Sequence, residues 1–223
     1  MSDQPARQRV EVDVVSDVVC PWCFIGKKRL DEARALASDL DVVVRFRPYQ
    51  LDASIPPEGI SRKDYLERKF GPERAAQMHG RLEAAGADAG VAFAFDKILR
   101  SPNTLNAHRV IRWAGETPDA GVQEAVKTRL LELYFLEGAD VGDPGVLAQA
   151  AAACGLDGEE VRRRLATDED VEAVEADVET ARRMGVNGVP FFIIEGKYGL
   201  SGAQPAETLV AAMREALTTE AKA

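Results

Sequence analysis

The order of predicted elements is β-α-β, then a long helical block, then α-β-β-α. That order predicts an α/β fold, a small mixed sheet interrupted by a large all-helical insertion. Three observations carry it. Val10, Val12 and Val14 alternate with Glu11 and Asp13, the period of a half-buried strand. From 60 to 167 the apolar residues recur mostly at helical spacing, broken by Gly and Pro stops. Phe191 to Ile194 and Tyr198 to Ser201 then flank the short turn Glu195-Gly196-Lys197, the pattern of a hairpin.

The first strand runs into Cys20-Pro21-Trp22-Cys23. Pro21 suits the first position of a helix, where its missing N–H costs nothing and its φ is already set. Cys20 is therefore expected at the N-cap. A thiolate there faces unpaired backbone N–H groups and the positive end of the helix dipole, and both favour the ionised form. Downstream, Cys23, Gly26, Leu30, Ala33, Ala37 and Leu40 recur at steps of three and four, predicting one small or apolar stripe through Leu40. Cys23 heads that stripe and should be sheltered, so Cys20 reads as the attacking sulfur and Cys23 as the resolving one. Residues 41–47 predict a second strand, with Val42, Val44 and Phe46 on one face. Arg45, Arg47 and the following Pro48 suit a sheet edge. The strand–helix–strand unit is then a right-handed parallel crossover.

In the helical block, Ser61 opens a segment that stops near Gly71-Pro72, and a second runs over 73–87. Residues 91–95 are too short an apolar run to assign by periodicity. Ser101-Pro102 predicts a helix start, with Leu105, His108 and Ile111 on its inner face to Gly115. Thr117-Pro118 predicts another, running to Gly138 with Val122, Val126, Leu130, Leu133 and Tyr134 inward. Asp143-Pro144 and Asp157 open two more, the first stopping at Gly155. The run 167–170, Thr-Asp-Glu-Asp, predicts a capping box for a helix burying Val171, Val174, Val178 and Ala181. The last helix, from Pro205, places Leu209, Val210, Met213 and Leu217 inward, and residues 219–223 should fray.

Composition narrows the function classes. A 223-residue chain with 46% hydrophobic and 29% charged residues is an ordinary globular mixture. Its net charge of −9 argues against nucleic-acid or anionic-membrane partners. Arg162-Arg163-Arg164 follows Glu159 and Glu160 and reads as a solvated, ion-paired helix face. The polar opening has no apolar leader and no run is long enough to span a bilayer, so a cytoplasmic protein is expected. Three cysteines with one C-x-x-C do not make a disulfide framework. In a β–α context that spacing reads as a thioredoxin-like redox motif. Structural zinc would need four ligands, and Cys154, His79 and His108 offer no second paired spacing, so no metal is expected. Cys154 reads as a small hydrophobe and His108 as a core group bordering the site.

Four segments together resemble one family. Residues 16–24 (Ser-Asp-Val-Val-Cys-Pro-Trp-Cys-Phe), 101–109, 188–192 (Gly-Val-Pro-Phe-Phe) and 199–204 (Gly-Leu-Ser-Gly-Ala-Gln) are similar to the FrnE subfamily of DsbA-type thioredoxin-fold oxidoreductases. The resemblance spans about 10–217. It implies a discontinuous thioredoxin-like domain over 9–59 and 168–218, with a helical insertion domain over 60–167. It implies thiol–disulfide oxidoreductase or isomerase chemistry through Cys20 and Cys23, with no bound cofactor. Protein or small-molecule thiols and disulfides, glutathione among them, would be the partners. Pro190 matches the cis-proline opposite the dithiol, although sequence physics alone favours a trans bond. Trp22, Val189, Pro190, Ser201, Gly202 and Gln204 are the expected substrate-binding residues, with His108 beside them.

The chain also departs from the pattern. Trp22 stands where periplasmic members carry a thiolate-stabilising histidine, so a weaker oxidant is expected. Val14 occupies the position of thioredoxin's buried acid. Asp17 is the only carboxylate nearby, placed either to relay a proton to Cys23 or to accept turn N–H groups. Two other classes are the alternatives. One is a kappa-class-like glutathione-dependent isomerase or transferase, a group that typically has serine at the first cysteine position. The other is a binding or chaperone module using the groove without turnover.

Overall fold

The computed structural model describes residues 7–119 and 121–220, so residues 221–223 of the expected frayed tail lie outside the described residues. Strand β1 (Gln8–Ser16) lies inside a four-stranded sheet of order β2-β1-β5-β6. Its Val10, Val12 and Val14 pair in parallel with Val42, Val44 and Phe46 of β2 (Leu40–Pro48), and all six are buried. On the other side β5 (Phe191–Ile194) runs antiparallel, Val14 facing Phe192, and β6 (Tyr198–Ser201) completes the hairpin. β2 is the edge strand its charges and proline predict. Arg45 pairs with Glu11 at 2.9 Å and Arg47 with Asp13 at 3.1 Å, a solvent-side ladder across β1 and β2.

Helix α1 (Pro21–Leu36) packs with α9 (Ala206–Glu220) on the valine face, joining Leu30, Ala33, Leu209 and Met213 to the main core. The predicted stripe is cut short at Ala37. Leu40 is claimed by β2, where it pairs with Gln8, after a tight link in which its N–H donates to the Ala37 carbonyl. On the opposite face α8 (Val171–Arg183) brings Ala181 against Val15, Tyr49 and Val186.

The insertion begins with α2 (Arg62–Phe70), capped by Ser61, and α3 (Pro72–Asp88). The chain enters and leaves this pair through a two-stranded ladder of β3 (Ile60–Ser61) and β4 (Arg100–Ser101). That ladder overturns the helix start expected at Ser101-Pro102. Ser101 pairs with Ile60, and α4 (Leu105–Gly115) begins three residues after Pro102, its Leu105 N–H held by the Asn103 side chain at 2.9 Å. Residues 91–95 lead into a 3₁₀ turn (Phe95–Lys97). There Phe93 and Phe95 stack at 4.8 Å, and Phe93 meets Phe135 and Phe24 edge-on or nearly so, tying the insertion to α1.

Thr117 closes α4 by donating to the Ala114 carbonyl, so the next helix, α5 (Gly121–Glu132), starts later than predicted and relaxes into a π-helical turn (Leu133–Glu137). Helices α6 (Pro144–Ala153) and α7 (Gly158–Leu165) follow, capped by Asp143 and Asp157 as expected. The capping box at 167–170 does not form. Asp170 sits in the left-handed region at φ 62° and its carboxylate accepts the indole N–H of buried Trp113 at 2.8 Å. A buried indole needs that acceptor, and the tertiary bond outranks the local cap. Among the described residues no helix is long and apolar enough to cross a membrane.

Candidate active site

Because α1 starts at Pro21, Cys20 is its N-cap, in extended geometry, and its carbonyl accepts the N–H groups of Cys23 and Phe24 at 3.0 and 3.4 Å. Its side chain makes no capping bond; the thiol donates instead to the Val189 carbonyl at 3.4 Å. The Val189–Pro190 peptide is cis. Pro190 comes this close to the dithiol because α1 carries Gly26 there: a Cβ at that position would lie 2.8 Å from Pro190 Cγ. The Gly202 N–H donates to the Pro190 carbonyl at 2.8 Å, and the Gln204 side chain to the Ser201 carbonyl at 2.6 Å. Gly202 thus braces the proline from the hairpin side, and Gln204 ties back to Ser201 at the end of β6.

The two sulfurs open on different surroundings. Cys20 lines a mainly apolar cleft of about 310 Å³ between α1 and the α2–α3 pair, together with Trp22, Val189, Leu51, Tyr65 and Phe70. Trp22 is 43% exposed at the rim. Arg62 brings a cation to the same wall; its Nη1 donates to the Tyr134 hydroxyl at 3.1 Å, while its Nε has no partner among the described residues. Burial pushes Tyr134 up to about 12. Cys23 faces inward. Burial, followed by the hydrogen bond and charge of Cys20, drives its thiol well above the usual range, while Lys127 and the Asp17 backbone pull the other way.

Beside the dithiol lies a buried polar cluster, which meets the cleft through Asp17. Asp17, His108 and Lys127 are each no more than 2% exposed. Asp17 accepts the Leu51 N–H at 2.8 Å and meets His108 Nε2 at 3.3 Å. Burial would raise its carboxyl, but the bond and charge of His108, the Leu51 N–H and Lys127 outweigh it and hold the group below its ordinary value. Asp17 therefore does accept a backbone N–H, and it also meets a long-range partner. His108 stands behind Asp17, away from the cleft. Lys127 escaped the sequence reading. Its only signal was its company, Val126, Leu130 and Leu131, all buried on the same helix. Cys154 is half-buried and outside any disulfide, and burial pushes its thiol up, away from ready ionisation. Among the described residues no cluster of three His, Cys, Asp or Glu side chains could hold a metal ion.

The mixed sheet, the helical insertion and a helix-capping C-x-x-C opposite a cis-proline define a thioredoxin-fold protein. The chain belongs to the DSBA-like thioredoxin domain family, whose model matches residues 11–214. A probable DsbA oxidoreductase from Streptomyces coelicolor superposes with a TM-score of 0.84 at 32% identity, over 94% of this chain and 90% of that one. The uncharacterized protein YwbO of Bacillus subtilis is 28% identical over 189 residues, 83% of this chain and 86% of its own length. The cytosolic disulfide reductase DsbM of Pseudomonas aeruginosa, solved with GSH, shares the fold at 20% identity with a TM-score of 0.58, over 96% of this chain and all of that one.

Proposed function

We propose that this protein is a thiol–disulfide oxidoreductase of the FrnE-like type, working through Cys20 and Cys23. The observation that carries the reading is the unequal setting of two buried sulfurs: Cys20 lines the apolar cleft at a helix N-cap, and Cys23, one turn on, does not line it. The Cys20 thiolate attacks a substrate disulfide and expels one thiolate, leaving a mixed disulfide. Cys23 then attacks Cys20 and releases the second thiol. An extended substrate pairs with the backbone of Val189, and its apolar part lies on Trp22. No bound cofactor is needed, since the electrons come from the thiols.

In this reading the core at 9–59 and 168–218 carries the chemistry and the insertion at 60–167 completes the cleft. Arg62 suits a thiol bearing a carboxylate, which makes glutathione a fitting co-substrate. A half-buried cysteine left unpaired beside one redox pair suits a reducing, cytosolic setting. Trp22 between the cysteines goes with modest oxidising power.

The test is a trap. With glutathione disulfide, Cys23→Ser should retain one glutathione on Cys20 by intact mass, while the wild type proceeds to an internal disulfide. Adducts on Cys154 alone would refute the reading.

A further inference from the structure

We propose that Lys127 is a positioning residue for Cys23, the buried group that holds the proton Cys23 gives up when it resolves the mixed disulfide. The inference rests on the dithiol reading above and adds a residue from the helical insertion to it. Lys127 is 1% exposed, and its Nζ has no hydrogen-bond partner among the described residues. A buried, unpartnered ammonium is costly, and an apolar side chain of the same length would serve packing better.

What surrounds it is the redox centre. Helix α1 lies against α5 here: Lys27, one turn after Cys23, reaches Glu124, one turn before Lys127, at 3.1 Å, which turns the Cys23 end of α1 toward Lys127. The charges of Cys23, Asp17 and Cys20 each favour the protonated form of Lys127. The other packed elements offer it little. β2 presents the face of Phe46, its ring centroid 6.0 Å from Nζ. On α4, His108 is engaged with Asp17. One turn earlier on α5, Glu124 is taken up by Arg34 and Lys27. The segment forming α6 contains no titratable side chain.

Burial lowers the affinity of Lys127 for its proton and raises that of Cys23, so the two groups are brought toward exchange. In the resolving step the Cys23 thiol passes its proton to the Lys127 amine. The freed sulfur lone pair forms the bond to Cys20 as the Cys20–substrate S–S bond breaks, and its electron pair leaves with the substrate thiolate. The cysteine pair is oxidised by two electrons and the substrate disulfide reduced. In reverse, the Lys127 ammonium returns the proton to Cys23 as its sulfur departs.

The experiment follows two-step release of thionitrobenzoate from dithiobis-nitrobenzoate by the reduced protein, in a Cys154→Ala background, by stopped flow from pH 5 to 10. The first release reports Cys20 and the second reports resolution by Cys23. Lys127→Met should move the pH profile of the second phase upward by a unit or more, further than that of the first, and slow the second about tenfold at pH 7, one unit being tenfold in thiolate. A folded Lys127→Met protein with the wild-type second-phase profile overturns the proposal. Absence of a second phase in the Cys154→Ala parent would instead refute the dithiol reading itself. Should Lys127→Met not fold, the Nζ of Lys127 is titrated by NMR in the unmodified protein. A midpoint higher in the reduced than in the oxidised form supports the coupling, and identical midpoints overturn it.

Discussion

Gly26→Ala tests how the proline wall is held against the dithiol. The added methyl would lie 2.8 Å from Pro190 Cγ and 3.4 Å from both Pro190 Cβ and Phe192 Cζ. Phe192 is fully buried, so the strain falls on Pro190 and the adjoining Val189. Overpacking of this kind costs about 1–3 kcal/mol. Replacing a mid-helix glycine by alanine returns about 1 kcal/mol, leaving a net loss of about 0–2 kcal/mol. At about 2–4 °C per kcal/mol for a chain of this size, the Tm should fall by a few degrees. The functional cost is separate. If Val189 shifts and one backbone hydrogen bond to substrate is weakened, about 0.5–1.5 kcal/mol is lost, roughly a two- to twelvefold drop in kcat/KM for glutathione-disulfide reduction. Thermal melts and steady-state kinetics read both. A variant that gains the full alanine stabilisation and keeps its kcat/KM would refute the view that Gly26 sets the position of Pro190.

Three further outcomes follow from the same structure. Arg109, 2% exposed, donates to the carbonyls of Arg164, Thr167 and Glu169 and to the Asn106 side chain, all within 2.9 Å. Arg109→Met should therefore cost about 1.5–3 kcal/mol or more by urea denaturation, the range for losing hydrogen bonds from a charged donor and leaving buried acceptors unpaired. Because the Asp17 carboxyl is held below its ordinary value, its contribution to stability is complete above about pH 4 and is lost as pH falls through the folded-state value. Stability of Asp17→Asn measured at pH 7 and pH 3 should accordingly change less than that of the wild type; equal changes would remove Asp17 from the acid response. Lys127→Met removes a buried amine with no hydrogen-bond partner among the described residues and should raise stability by about 1–3 kcal/mol in the same urea assay, a gain opposite in sign to its effect on resolution.

Legibility in the sequence tracked the range of the interactions involved. The dithiol could be placed because Pro21 fixes the first helical position and the valines of 10–14 fix the strand before it. The edge position of β2 could be read because Arg45, Arg47 and Pro48 each disfavour a second neighbour. Ser101-Pro102 and the run at 167–170 misled because both are good local caps whose groups are claimed elsewhere. Ser101 is taken by Ile60 and Asp170 by Trp113, neither visible to a local pattern. Asp17 and His108 stand 91 residues apart, so the sequence could nominate each and not their contact. Lys127 was silent, since a lysine among apolar residues on a helix looks the same whether its amine is sealed in or snorkels to water.

Equilibrium against a graded glutathione buffer shows whether Cys20 and Cys23 form a reversible redox pair. Acid-quenched, alkylated samples analysed by mass should show one two-electron transition confined to Cys20 and Cys23, with Cys154 a free thiol throughout. Its midpoint should be more reducing than the strongly oxidising DsbA value of about −120 mV. A population that remains glutathionylated on Cys20 at every ratio, or a Cys23 that never oxidises, would mean that the two cysteines are not a redox pair.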